Sequence, residues 1–74
     1  MSEDGKKVLN AIHELISDKE LPTSVNTEDI AKKIGLSFKQ TEAILESEFA
    51  NYSGIQLIPG DNKMSEIGIS TFFN

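Results

Sequence analysis

The stretch from Thr27 to Glu46, TEDIAKKIGLSFKQTEAILE, constrains the fold more than any other, because it holds start and stop signals for two short helices. Thr27 or Asn26 is placed to cap the first, and Glu28 and Asp29 bring negative charge to the positive end of its dipole. Ile30, Ala31 and Ile34 recur at helical spacing, which leaves Lys32 and Lys33 facing water. Gly35 stands where a chain leaves a helix through positive φ, a conformation that glycine adopts at least cost. Leu36 is the apolar residue of the turn. Ser37 then opens the second helix with Gln40 three residues on, the spacing of a capping box. Ile44, Leu45 and Phe49 are expected to carry its inward face.

This pair resembles the helix-turn-helix of the winged-helix superfamily. The resemblance rests on Ile30, Ala31, Ile34, Gly35, Leu36 and Ile44: a small residue where helices cross, a glycine in the turn, and apolar anchors around them. It covers Thr27 to Glu46 closely and most of the chain loosely. The plain alternative is a three-helix core with no recognition role.

The flanking segments read as support. With 74 residues the chain makes one domain, 1–74, in which residues 1–4 are expected to fray, with Ser2 or Asp4 available as a cap. From Gly5 to Ser17, Val8, Leu9, Ala11, Ile12, Leu15 and Ile16 fall in one helical sector, opposite Lys6, Lys7, Asn10 and Glu14. Asp18 to Asn26 contains Pro22 and several turn formers, and so reads as a loop. After Gly54 the period changes. Ile55–Ile58 reads as a strand, Pro59 and Gly60 as the centre of a turn ending at Asn62, and Ser65–Phe73 as a second strand. In that second strand Ile67, Ile69, Thr71 and Phe73 alternate with Glu66, Gly68, Ser70 and Phe72; Phe72 is either covered by the chain or exposed as a contact. Gly68 marks either a bulge or close packing against a helix. The expected fold is α+β: three helices followed by a C-terminal hairpin. The winged-helix resemblance implies a third short strand at 23–25 and a wing tip at Pro59 to Met64.

Function turns on charge. The chain has seven Lys, no Arg, and twelve Asp plus Glu, for a net charge of −5. Duplex DNA is held by cations replacing counterions, and guanine edges are read most often by Arg. In the family that the chain resembles, the start of the third helix enters the major groove and the wing touches the backbone. The resemblance therefore implies contacts by Ser37, Phe38, Lys39, Gln40, Glu42, Ala43 and Glu46. Lys39 is the one favourable cation among them; Glu42 and Glu46 would face phosphates. Phe38 either projects as an exposed aromatic or folds back as core. Thr41 departs from the branched apolar residue usual in the family, so its hydroxyl needs a partner, such as a carbonyl one turn back. Lys32, Lys33 and Lys63 are candidate phosphate contacts, with Lys6 and Lys7 joining them if they share a face.

Other classes find little support. No Cys is present, so no disulfide or thiolate metal site forms, and His13 lacks a second His; a half-exposed helix residue is the expectation. Glu42 and Glu46 have no nucleophile or ligand set beside them, and no glycine loop cradles phosphate. Neither an enzyme, a cofactor nor a metal is expected. The chain has no apolar run near the ~20 residues of a membrane span, and its first ten residues are polar, so the expected location is cytoplasmic. Two functions remain. One is a non-catalytic, transcription-associated regulatory module working through a protein partner or self-association; the other is direct DNA binding by a dimer.

Overall fold

The first helix is anchored earlier than its apolar pattern suggests. In the computed structural model, which describes residues 1–60 and 63–71, α1 spans Glu3–Ile16, and the Gly5 N–H donates to the Ser2 hydroxyl at 2.9 Å. That cap brings Glu3 and Asp4, assigned by sequence to a frayed start, into the first turn. Val8, Ala11, Ile12 and Ile16 are buried, with Leu9 and Leu15 packed beside them, as the helical sector requires. Each of the valine, leucine and isoleucine side chains contributes about 1.5–3 kcal/mol when fully buried. Helix α2 spans Thr27–Ile34 and α3 spans Phe38–Glu48.

The signals inside this pair are obeyed with one exception. Gly35 takes φ +75°, and the Leu36 N–H reaches back to the Ala31 carbonyl at 3.1 Å, the six-to-one bond of a Schellman turn. The exception is the start of α2. Asn26 occupies the cap position without a side-chain hydrogen bond, and Thr27 is the first helical residue, fully buried. Its hydroxyl has no hydrogen-bond partner among the described residues. In α3, Leu45, Phe49 and Thr41 are buried, whereas Ile44, expected on the inward face, is half-buried at its margin. Phe49 ends the helix at its C-cap, and its ring lies 5.2 Å from that of Tyr52, which closes this end of the core.

Strand β1 (Thr23–Asn26) enters between the first two helices and pairs with β3 (Lys63–Ile69), which also pairs with β2 (Ile55–Gly60). The sheet is antiparallel in the order β1-β3-β2, so the C-terminal hairpin is extended by an earlier strand. Opposite Ile67 and Ile69 of β3 stand Leu57 and Ile55 of β2, and Val25 and Thr23 of β1. The face bearing Val25, Ile55, Ile67 and Ile69 closes the core against the helices.

Three expectations need correction here. Pro59 and Gly60 do not sit in the turn: they extend β2 opposite Met64 and Lys63, after a register shift between Ile58 and Pro59. The bulge therefore falls there, and Gly68 keeps regular register; a Cβ on it would meet Ile58 Cδ1 at 3.4 Å, a strand neighbour and not a helix. Thr71 lies beyond the end of β3 and is exposed, because the alternating pattern outlasts the strand. Asp61, Asn62, Phe72 and Phe73 lie outside the described residues.

Candidate interaction surface on the third helix

The polar groups at the start of α3 are committed to the helix itself. The Gln40 N–H donates to Ser37 Oγ at 3.1 Å, and the Ser37 N–H donates to Gln40 Oε1 at 3.0 Å, a closed capping box. Thr41 donates its hydroxyl to the Ser37 carbonyl at 2.9 Å, the bond one turn back that its buried position demands. Ser37 and Gln40 therefore spend their side-chain oxygens as acceptors in stabilising the helix start, which holds both side chains close to it. Phe38 is half-buried, between the two placements its sequence position leaves open, and Glu42 is half-buried as well.

What remains outward is a strip. Lys39, Ala43 and Glu46 are exposed and follow one another at intervals of four and three residues, one face of the helix, with Gln40 and Ser47 exposed on its flank. Its one cation, Lys39, has no ion-pair partner among the described residues, and neither has Glu46.

Three of the other six lysines lie in ion pairs among the described residues. Lys33 Nζ lies 3.2 Å from Glu14 Oε1, which ties α2 to α1 across a shallow groove of about 300 Å³. Lys6 and Lys7 lie 3.7 and 3.9 Å from Glu3 and Asp4 of their own helix, exposed pairs worth little in stability. Lys32 is exposed on α2, and the side chain of Lys63 lies outside the described residues. The structure thus brings Lys39, Ala43 and Glu46 onto one ridge but gives Lys33 a carboxylate partner on α1.

One cluster has no counterpart in the sequence reading. The Ser2 hydroxyl and backbone N–H donate to the two oxygens of Glu48, at 2.6 and 2.9 Å, so the last turn of α3 clasps the start of α1. These bonds, the hydroxyl's above all, hold the Glu48 carboxyl below its ordinary pKa. Gly5 makes room for the clasp: a Cβ there would meet the Glu48 carboxylate and Met1 Cγ. The sequence offers no signal for a contact between residues 46 positions apart.

Comparison with protein-family models, curated proteins and solved structures finds no match.

Among the described residues no three His, Asp or Glu side chains converge as metal ligands, and His13 is half-buried on α1. Among the described residues no helix is long and apolar enough to cross a membrane.

Proposed function

We propose that this chain is a winged-helix regulatory module, transcription-associated and non-catalytic, which works through protein contacts on the outer face of α3. The winged-helix part of this reading is supported by the order of elements and by the glycine turn between α2 and α3. A strand between the first two helices joins the sheet of a C-terminal hairpin, as the resemblance implies.

The choice of protein over duplex rests on one observation: the cations a groove reader needs are scarce or taken. On α3 Lys39 stands with Glu42 and Glu46, and Lys33 is paired with Glu14. Counterion release at phosphates is driven by cations, and negative charge on the approaching face repels the backbone. Ser37 and Gln40 spend their side-chain oxygens in their own box, and the hydrogens left to them are neutral donors that release no counterions. A protein partner tolerates such a surface, since charges there set specificity and approach.

The test is a titration of fluorescently labelled duplex at low salt, where lysine contacts are strongest. No saturable binding is expected at micromolar protein. Micromolar binding that weakens steeply with added salt overturns the reading and favours the second one, a DNA-binding dimer, for which the exposed Lys32 and Lys39 are the residues to mutate.

A further inference from the structure

We infer that the partner of the α3 face is a second copy of this chain, packed antiparallel through Lys39, Ala43 and Glu46. This deepens the protein-contact reading and rests on it. Lys39 and Glu46 are exposed, carry opposite charges, and have no ion-pair partner among the described residues. Seven residues apart, they lie on the same helix face with about 10 Å between them along the axis. Ala43 stands between them, close to the midpoint.

That arrangement is complementary to itself. A two-fold axis across α3 near Ala43 sets Lys39 of each copy against Glu46 of the other, the reciprocal pairing an isologous interface requires. Ala43 then meets Ala43, and a residue with only a methyl side chain lets the two helix backbones approach closely. The flank continues the match: Gln40 comes opposite Ser47, both exposed and uncharged. On the other flank the two half-buried Glu42 side chains approach one another, the one like-charge element, and each has a Lys39 nearby.

The alternative surfaces for self-association are weaker. The Ser70 N–H donates to the Gly54 carbonyl at 3.0 Å, which sets the phase of the β2–β3 ladder and turns the amides of Ile55 and Leu57 to the open edge. The Ile55 N–H is already taken by the Tyr52 carbonyl at 3.1 Å, and Pro59 has none to offer. Edge pairing along β2 is blunted, as natural sheets require. Among the described residues apolar association has little to use either, Met1 being the one exposed large hydrophobic side chain there. The α3 contact is led by charge, so it weakens with salt. It also covers the face that a groove reader presents, so this dimer and duplex binding exclude one another.

A single helix pair falls in the range of weak contacts, below about 1,200 Å². Association is therefore followed by sedimentation equilibrium on the full chain from micromolar to millimolar concentration at low salt. The wild type is expected to form dimers that dissociate as salt is added. Lys39→Glu and Glu46→Lys should each weaken association about tenfold or more, because each sets like charges opposite one another. Circular dichroism confirms that these exposed substitutions leave the fold intact. An equimolar mixture of the two variants should associate again, since the introduced glutamate of one then faces the introduced lysine of the other. A wild type that stays monomeric at millimolar concentration, variants that associate as the wild type does, or a mixture that fails to recover overturns this dimer. None of those outcomes bears on the duplex titration, so the wider protein-contact reading stands or falls separately.

Discussion

Two threonines are fully buried in this domain, and the same substitution should move stability in different directions at each. Thr27 places its hydroxyl in the core at the start of α2 with no hydrogen-bond partner among the described residues. Thr41 is equally buried, but its hydroxyl donates to the Ser37 carbonyl at 2.9 Å. Valine has the shape of threonine with a methyl in place of the hydroxyl. At Thr27 the change removes a buried, unsatisfied group, whose desolvation costs about 1–3 kcal/mol in proteins. Thr27→Val should therefore stabilise by about 1 kcal/mol or more. At Thr41 the change deletes a hydrogen bond worth about 0.5–1.5 kcal/mol net. The Ser37 carbonyl keeps the Thr41 N–H at 3.0 Å, so no acceptor is orphaned, and the outcome should be neutral to mildly destabilising. Both residues are β-branched and helical before and after, so propensity nearly cancels. For a domain of this length 1 kcal/mol corresponds to roughly 4–8 °C in Tm. Urea and thermal unfolding of the two variants give the comparison directly. A Thr27→Val protein less stable than wild type, or a Thr41→Val protein that gains more than Thr27→Val, refutes the assignment of a vacant hydroxyl to Thr27 and a satisfied one to Thr41.

The clasp between α1 and α3 yields two further expectations. Gly5→Ala displaces the Glu48 carboxylate and should be neutral or destabilising in the wild type, yet stabilising by up to about 0.5–1 kcal/mol in a Glu48→Ala background, where helix propensity gains and only the flexible Met1 side chain has to move aside. Equal effects in both backgrounds, measured by denaturant unfolding, would show that Glu48 does not occupy the space beside Gly5. Glu48 has its pKa lowered in the folded state by the Ser2 bonds, so its stabilising contribution is present above the unfolded-state pKa and disappears as pH falls through the folded one. The stability gap between wild type and Glu48→Gln should accordingly close on acidification below the ordinary glutamate range; a gap independent of pH over that range contradicts the clasp.

Local signals in the sequence were legible where local chemistry decides the outcome. The Ser37–Gln40 box, the positive φ at Gly35 and the Thr41 hydroxyl bond all join residues within one helical turn, and each is found as the spacing requires. The apolar sector of α1 and the alternation through Ile67 and Ile69 were legible for the same reason. Long-range pairing was not. Nothing in the sequence marks Glu48 as the partner of Ser2, or Glu14 as the partner of Lys33, because an exposed charge reads the same whether or not another element supplies its counterion. Strand ends were misplaced at Pro59 and Thr71, where alternation and turn propensity are local but the end of the ladder is set by where its neighbours stop.

The lost counterions also decide what the outer face of α3 can do. An exposed lysine meets phosphate with its full charge only where no carboxylate stands beside it, and folding sets Lys33 beside Glu14 and Lys6 and Lys7 beside acids of their own turn. The same folding commits Ser37 and Gln40 to the helix start. The ion pairs offset positive charge that the linear sequence offers to DNA, while Glu46 stays exposed with its negative charge. What folding leaves exposed on α3 is a lysine and a glutamate with an alanine between them, and the structure that matches such a ridge at both ends is the same ridge turned around.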